Sequence, residues 1–263
     1  MKHTNKDLDL SVVIPVYNES SCIEKVATEW QAALKFQKID FEIIFVNDGS
    51  TDNTKEILEV LCKDSKALRL VNQENGGHGK ALLTGYHSAL NSNAHYIFQV
   101  DSDDQFLAGD FSKLWKMREA APFILGIRSK RDDPWFRLVI TRFLRNSIIQ
   151  LCDTKITDAN IPFRLVERRF LKALLHCLPA GAFAPNVFIS ILAAKYIGLL
   201  PQVPVNHVER KTGQVSLIKI GLLKACVRSF FDLIKFSSVL DYKTSRMKLE
   251  LQYTDTEEQK RYG

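Results

Sequence analysis

The sequence predicts an α/β protein built on a Rossmann-like, mostly parallel sheet flanked by helices. Three observations predict this class: short β-branched runs recur along the chain, stretches with helical apolar periodicity alternate with them, and a short polar loop follows each run. Strands that alternate with helices favour a parallel sheet. Because the carboxyl ends of such strands meet at one edge, where ligands bind, we expect the polar loops to gather there.

The first half of the chain supplies four predicted strands, at residues 10–16, 41–46, 68–71 and 96–100. A helix follows each of the first three. The first helix starts with Ser20 or Ser21 as its cap and runs towards Phe36, the second ends at about Cys62, and the third ends at about Leu90.

The second half continues with longer helices. In order, the sequence predicts a helix to about residue 121, a strand at 123–127, helices at 135–152, 167–177 and 185–196, and a strand at 199–205. Residues 217–240 form a basic amphipathic helix that carries Lys224, Arg228, Asp232 and Lys235 on one narrow face. The polar tail, 241–263, is expected to fray.

Composition limits the classes of function. The chain has 263 residues, a net charge of +6 and a pI of about 9.0, which favours nucleotides, phosphates or anionic membranes as partners. No aromatic–basic motif indicates a nucleic-acid binder. Five scattered cysteines without a C-x-x-C pair indicate reduced thiols in a cytosolic compartment. The polar start of the chain lacks the apolar core of a signal peptide. No run approaches the roughly 18 apolar residues of a membrane span.

Two carboxylates at alternate positions follow the fourth predicted strand, in Val100-Asp-Ser-Asp-Asp-Gln105. Asp101 and Asp103 should both be directed beyond the end of the strand. Mg²⁺ uses one or two protein carboxylates and completes its shell with water and substrate phosphates. The stretch therefore predicts a seat for a metal-bound diphosphate, with an ordinary acidic turn as the alternative.

A glycine-bearing loop, residues 75–80, precedes the third helix. Glycines before a helix can bind phosphate. The order of residues matches neither a P-loop nor the dinucleotide fingerprint, so the loop is interpreted as a tight turn with a modest role in positioning a donor.

Three motifs follow strands in a fixed order: residues 13–19 (Val-Ile-Pro-Val-Tyr-Asn-Glu), residues 47–54 (Asn-Asp-Gly-Ser-Thr-Asp-Asn-Thr) and residues 100–105. Together they resemble family 2 glycosyltransferases of the GT-A fold, and most of all the polyprenyl-phosphate sugar transferases related to dolichyl-phosphate mannose synthase. The resemblance spans residues 10–216, so this range is predicted to be the glycosyltransferase domain, with a polar segment at 1–9 before it.

The resemblance implies an inverting, metal-dependent transfer of a hexose from GDP- or UDP-sugar to dolichyl or undecaprenyl phosphate. Pro15, Tyr17 and Glu19 would line the base and ribose pocket. Asp48 would hydrogen-bond the base. Asn47 stands where many relatives have another Asp, a departure that could alter base preference.

The same resemblance implies a Mg²⁺ or Mn²⁺ site. Asp101 would lie near the ribose and the metal, and Asp103 and Gln105 would complete the metal site through their oxygens. Asp103 is also among the residues predicted to be catalytic.

The acceptor is the second question. A sugar hydroxyl needs a general base, commonly Asp or Glu, but no acidic residue occurs between Glu167 and Glu209. Asp158 and Glu167 remain as possible bases. A phosphate acceptor is already an anionic nucleophile and needs positive charge instead.

The resemblance assigns that positive charge to arginines within family patterns. Catalytic and acceptor-phosphate roles are implied for Arg128, for Arg137 with Thr141, and for Arg210 with Ser216. Ile127 and Thr141 replace the usual Ser of two of these patterns. Arg164, in a segment that resembles the family's Asp-to-Phe-Arg stretch, is structural or catalytic.

The amphipathic helices at 135–152 and 217–240 suit a lipid acceptor, since basic residues beside Trp, Phe and Leu are typical of helices at a membrane interface. We expect peripheral contact with the cytoplasmic face of the membrane; core packing or a homo-oligomer is the alternative. Two other functions stay open: transfer to a saccharide hydroxyl in polysaccharide or lipopolysaccharide synthesis, and a non-catalytic nucleotide-sugar-binding scaffold.

Overall fold

The computed structural model describes residues 7–129, 135–179, 181–208 and 219–262. At 135–141, 219–226 and 254–262 the backbone alone is described.

One sheet contains all the strands of the described residues, in the order β3-β2-β1-β4-β6-β5-β7. Strand β6 runs antiparallel to both of its neighbours, and every other pairing is parallel. The predicted mostly parallel α/β class is therefore confirmed. The strands are β1 Leu8–Val16, β2 Phe41–Asp48, β3 Leu68–Gln73, β4 Ala94–Val100, β5 Phe123–Arg128, β6 Phe163–Glu167 and β7 Gln202–Val205.

Nine α-helices occur in the described ranges, and a single 3₁₀ turn, Ala108–Asp110, precedes the fourth. They are α1 Ile23–Phe36, α2 Thr54–Asp64, α3 His78–Leu90, α4 Phe111–Lys116, α5 Trp135–Cys152, α6 Arg168–His176, α7 Pro185–Ile197, α8 Lys219–Ser237 and α9 Leu240–Tyr262. None of the helices, as far as they are described, is both long and apolar enough to span a membrane.

The chain divides into two compact units, each made of three segments, and the domain bounds expected at 10–216 stay a prediction. The first comprises residues 1–132, 161–168 and 202–216 and contains the sheet. The second comprises 133–160, 169–201 and 217–263 and is helical in its described part.

Aromatic side chains fill the core of the first unit beside β4. The ring of Phe98 lies 5.2 Å from Trp30 and 4.8 Å from both Phe111 and Phe163, measured between centroids. Offset and edge-to-face pairs at this range contribute beyond the area that they bury. On the sheet, α3 packs so closely that a Cβ at Gly85 would lie 2.3 Å from Cγ1 of Val13.

The second unit is organised around α7, whose residues 185–194 are all buried. Phe188 packs against Phe236 of α8, with ring centroids 4.8 Å apart. Thr244, Met247 and Leu251 of α9 are buried as well. The frayed tail expected at 241–263 is therefore wrong, because these three residues form a helical stripe among charged neighbours and pack in the core.

Two element ends also differ from prediction. Helix α1 begins at Ile23, and no side chain caps it, because the residue at the cap position is Cys22 and not Ser20 or Ser21. Helix α4 ends at Lys116, short of the expected residue 121. The strand β6 was not predicted at all, since a five-residue run that contains Arg164 resembles a loop.

Candidate active site

The loops after β1 and β2 are joined by side-chain hydrogen bonds. Asn18, in the left-handed region at φ 54°, accepts from the amide of Thr51 at 2.7 Å. The amide of Asn18 donates to Oγ of Ser50 at 3.0 Å, and that of Glu19 to Oγ1 of Thr54 at 2.9 Å. The two motifs that are separate in the sequence thus form one surface.

Asp52 completes this junction. Its carboxylate accepts from the amide of Ser20 at 3.1 Å and from both the amide and the hydroxyl of Thr54. Partial burial raises the pKa of Asp52, but these hydrogen bonds outweigh it and hold the pKa below its ordinary value.

The predicted base-pocket residues on β1 and its loop differ in exposure. Pro15 is buried within β1, where it pairs with Val46. The side chain of Tyr17 is 39% exposed, and Glu19 is buried and accepts from the thiol of Cys22. Tyr17 is therefore the member of this group that offers most surface to a ligand.

Asp48 is 3% exposed and organises the following loop. Its Oδ1 accepts from Nε2 of Gln73 at 2.6 Å and from the amide of Gly76 at 2.9 Å, and its Oδ2 accepts from the amide of Gly77 at 2.9 Å. The two glycine amides are thus directed at a protein carboxylate, which fits the tight turn and not a phosphate cradle. The contact of Asp48 with a base stays a prediction.

The residues on either side of Asp48, Asn47 and Gly49, show why these residue types occur at the end of β2. Asn47 donates from Nδ2 to Oδ1 of Asn72 at 2.9 Å and accepts from the amide of Ser50 at 3.1 Å. An Asp at position 47 could not make the first of these bonds. Gly49 has φ +67°, and a Cβ there would lie 2.8 Å from the amide nitrogen of Asn75, so this position requires glycine.

Asp101 lies at the carboxyl end of β4 with 27% of its side chain exposed. Its Oδ1 accepts from Nε2 of Gln99 at 3.2 Å and lies 3.8 Å from Nε2 of His78. Burial raises the pKa of Asp101, and electrostatic interactions with His78, Arg128 and Arg164 oppose that rise. A carboxylate under this penalty gains from a cation at its exposed side.

The side chains of residues 103–105, in the turn after Asp101, point in different directions. Oδ1 of Asp103 accepts from the amide of Gln105 at 3.3 Å. Asp104, at φ 58°, forms an ion pair with Lys25 at 2.5 Å. Gln105 is joined to Val208 by its side chain and by its backbone, at 3.1 and 2.9 Å. Asp103 therefore shares the turn with Asp101, while Asp104 is committed to α1.

The donor set fits a hard divalent cation that is held jointly with a substrate. Among the residues that the structure describes, no group of three His, Cys, Asp or Glu side chains could hold a metal alone. Mg²⁺ is commonly bound by one or two carboxylates together with substrate phosphates. Asp101 and Asp103 are carboxylates of this kind, and Gln105, which donates through its nitrogen, retains its amide oxygen; that these residues bind a metal stays a prediction.

Two arginines lie near this turn. Arg128 ends β5, and its guanidinium carbon is 5.8 Å from the ring centroid of Phe106. Arg164 is fully buried on β6 and donates through Nε and Nη2 to the carbonyl of Ile161, at 3.1 and 2.6 Å. In the sheet it stands opposite Gln99. Its burial and bonds indicate a structural role beneath Asp101.

The two residues considered as general bases, Glu167 and Asp158, lie in different surroundings. Glu167 pairs with Tyr96 at the amino end of β4, whereas Asp101 follows the carboxyl end. The two carboxylates therefore lie at opposite edges of the sheet, and Glu167 is wrong as a base. Asp158, in the second unit, is buried and accepts from the amide of Asn160.

Four predicted acceptor residues cannot be placed. Arg210 and Ser216 lie outside the described residues, and so do the side chains of Arg137 and Thr141 in α5. Their roles stay predictions.

The sequence did not reveal two residues that contact the acidic turn, Gln99 and Lys25. Gln99 did leave a signal, because a polar residue inside a buried strand needs a partner; Lys25 left none.

Comparison with known proteins adds the family. The family model described as Glycosyl transferase family 2 matches residues 11–175. Among curated proteins, the undecaprenyl-phosphate 4-deoxy-4-formamido-L-arabinose transferase of Edwardsiella ictaluri is 28% identical over 228 residues, which cover 86% of this chain and 66% of that protein. The enzyme of the same name from Yersinia enterocolitica is 28% identical over 89% of this chain and 69% of its own. The chain thus spans about two thirds of the length of these relatives.

Solved structures agree on the fold. Glucosyl-3-phosphoglycerate synthase from Mycobacterium tuberculosis, in complex with Mn²⁺ and UDP-glucose, superposes with a TM-score of 0.61 at 20% identity over 87% of this chain and 79% of that one. Its complex with phosphoglyceric acid gives a TM-score of 0.62 at 19% identity, over 88% and 80%. The sheet described above is the GT-A fold.

Proposed function

Because this chain belongs to glycosyl transferase family 2, we propose that it transfers a hexose from a nucleoside diphosphate sugar to polyprenyl phosphate with inversion. The observation that carries the proposal is the turn after β4, which holds Asp101 and Asp103 and contacts the loop after β1, since the thiol of Cys22 donates to the carbonyl of Ser102 at 3.4 Å. Ligands bind at this edge of an α/β sheet.

The donor would be bound at the surface formed by the two joined loops. Tyr17 is exposed there, and hydrogen bonds from Thr51 to Asn18 and from Ser20 to Asp52 tie the two loops together. A rigid site avoids part of the ordering cost of binding. Asp48 would contribute mainly by fixing the turn at Gly76 and Gly77, whichever base is bound.

Asp101, Asp103 and the oxygen of Gln105 would hold Mg²⁺ or Mn²⁺. When bound, the ion neutralises charge on the diphosphate leaving group. The chain's own contribution is to orient the two carboxylates. Gln99 donates a hydrogen bond to Asp101, and the amide of Gln105 donates one to Asp103. The ion pair with Lys25 directs Asp104 away from them.

The acceptor is proposed to be a phosphate monoester. An oxygen of that phosphate forms the new bond to the anomeric carbon, the bond from this carbon to the diphosphate oxygen breaks, and the nucleoside diphosphate departs. The nucleophile is already an anion, so no base is needed. Arg128 lies close enough to Asp101 to act on its charge, and it would hold the acceptor with Arg137, Thr141, Arg210 and Ser216. The names of the curated relatives, undecaprenyl-phosphate transferases, support this acceptor class.

A lipid acceptor places the reaction at a membrane, and we propose peripheral contact at the cytoplasmic face. Exposed apolar side chains on α8, among them Val227 and Phe231, support this contact. A homo-oligomer formed through the same helices is the alternative.

An acceptor panel tests the proposal. Purified protein is given UDP- and GDP-hexoses with Mg²⁺ or Mn²⁺ and one of four acceptors: undecaprenyl phosphate, dolichyl phosphate, phosphoglycerate or an oligosaccharide. We expect a lipid-phosphate hexose product. If product forms with phosphoglycerate alone, the proposal that the acceptor is a phosphate monoester stands, and the proposal that it is a lipid phosphate is refuted. Product with the oligosaccharide alone would refute the proposal and point to Asp158 as a base.

A further inference from the structure

A cavity of about 290 Å³ lies in the second unit, lined by α8, α9 and the segment between α6 and α7. Its polar residues are Arg228, Asp232 and Lys235 of α8 and Lys243 of α9. The first three recur at i, i+4 and i+7, so they share one face of the helix. This cavity plays no part in the proposed transfer reaction.

The cavity is cationic. Three basic side chains face one carboxylate, and within the described part of the chain none of the three basic residues forms a salt bridge. Arg228 is held by the ring of Phe183, whose centroid lies 5.3 Å from the guanidinium carbon. Three basic groups around a single carboxylate leave the cavity with a net positive charge, which suits an anion.

An apolar stripe runs beside the cavity on α8. Val227, Phe231 and Ile234 also recur at i, i+4 and i+7, and they are 49%, 57% and 39% exposed. On the opposite side of the helix, Leu233 and Phe236 are buried in the core. The helix therefore has three faces: a core face, a cationic cavity face and an exposed apolar face between solvent and the cavity.

The geometry points to a binding site for the phosphate headgroup of an anionic phospholipid, with the apolar stripe inserted at the boundary of the acyl chains. A soluble phosphate would account for the cavity but not for the stripe. A helix with an apolar face beside basic residues binds in the interface of anionic membranes. The lipid is a ligand that holds the protein at the bilayer and is not consumed. The inference deepens the proposed membrane contact and rests on its premise that α8 meets a bilayer, but it is independent of the sugar transfer, so its test needs no nucleotide sugar.

Vesicle flotation with the whole chain tests it. One set of vesicles contains phosphatidylcholine alone, and the other contains equal parts of phosphatidylcholine and phosphatidylglycerol. The cavity variant carries Arg228→Gln, Lys235→Gln and Lys243→Gln. The control variant carries Lys155→Gln, Lys172→Gln and Lys248→Gln, exposed lysines of the same unit that do not line the cavity. Both variants lose the same charge.

We expect the wild type to bind the anionic vesicles and not the neutral ones. The cavity variant should lose affinity on the order of 100-fold, since each of the three basic residues at an anionic surface contributes about fivefold. The control variant should stay within about threefold of the wild type, because charges away from the surface are screened. Phe231→Gln should weaken binding about tenfold by removing buried apolar area.

Circular dichroism and thermal melting verify that each variant folds. If the triple cavity variant does not fold, the single exposed change Lys235→Glu replaces it. Equal loss in the cavity and control variants would mean general charge attraction and would overturn the site. Equal binding to neutral vesicles would overturn the anionic headgroup. If calorimetry shows inorganic phosphate bound through these residues while no vesicle binds, the ligand is a soluble anion and the lipid is refuted.

Discussion

Gln99 donates a hydrogen bond from Nε2 to Oδ1 of Asp101 across 3.2 Å, from a position that is itself fully buried. The two residues stand at i and i+2 at the end of β4, so they face the same side of the sheet. Arg164 stands opposite Gln99 on β6. The orientation of Asp101 is thus set by buried residues before any substrate arrives.

Replacing Gln99 with Met keeps its approximate size and removes the donor. We expect activity at limiting metal to fall by about 10–100-fold, because partners that orient a metal ligand have effects of this size. A titration of activity with Mn²⁺ checks it, and the midpoint should move to higher metal concentration. A lower maximal rate with an unchanged midpoint would assign Gln99 a purely structural role.

Asp103→Asn should reduce sugar transfer by at least about 100-fold, because it removes negative charge where the leaving diphosphate is neutralised. The matched control is Asp104→Asn in the same turn, whose carboxylate pairs with Lys25 and should affect the rate only about threefold. Radiolabelled transfer assays and thermal melting are the measurements. Equal loss in both variants would contradict the assignment, and so would full activity of Asp103→Asn.

Asp48→Asn should destabilise the fold by about 2–3 kcal/mol, since one oxygen that accepts from Gln73, Gly76 or Gly77 becomes an amide donor facing another donor. Urea unfolding measures this. The exposed Asp64→Asn on α2 is the control and should stay within about 0.5 kcal/mol of the wild type. A wild-type unfolding midpoint in Asp48→Asn would refute the view that this carboxylate holds the turn before α3.

Asp52 gives a pH-dependent contribution to stability. Its pKa in the folded protein is lowered from 3.8 by the hydrogen bonds from Thr54 and Ser20, despite partial burial. A lowered folded pKa stabilises the protein above the unfolded value, and this contribution is lost as the pH falls through the folded pKa. The difference in unfolding free energy between wild type and Asp52→Asn should therefore be largest near neutral pH and shrink below about pH 4. A difference that grows on acidification would contradict the sign.

Arg128→Gln should raise the KM for a lipid-phosphate acceptor by about 10–100-fold, the effect of losing a charge-assisted hydrogen bond. The KM for the donor sugar should change far less. Arg145→Gln, exposed on α5, is the control, and Arg128→Lys should restore part of the affinity. If the donor KM rises as much as the acceptor KM, Arg128 serves the diphosphate instead.

Much of the fold was predictable because it rests on local patterns. The β-branched runs and their following loops located six of the seven strands among the described residues. The failures have a common cause in tertiary context. Strand β6 is stabilised by neighbours that are distant in the chain, and α9 by a sparse stripe of Met247 and Leu251 that a polar composition conceals.

In the candidate site, too, local patterns predicted some features, and others depend on tertiary contacts. The order of the motifs was enough to predict that Tyr17, Asp52 and Asp101 lie at one edge of the sheet, because parallel strands align their carboxyl ends. No sequence pattern could show that Lys25 binds Asp104 or that Asp48 serves the amides of Gly76 and Gly77, since these bonds depend on how loops from different strands fold against each other. Glu167 was misjudged because its strand runs in the reverse direction.

The reversed strand β6 has a consequence for how the protein can be made and dissected. It lies between β4 and β5, yet it leaves the ribosome only after α5. Until then β4 presents an unpaired hydrogen-bonding edge, the kind of surface on which nascent chains aggregate. A fragment that stops at residue 132 would keep that edge exposed permanently. A shortened protein that consists of the first unit therefore has to include residues 161–168, spliced back in, and trimming from the carboxyl terminus alone will give insoluble material.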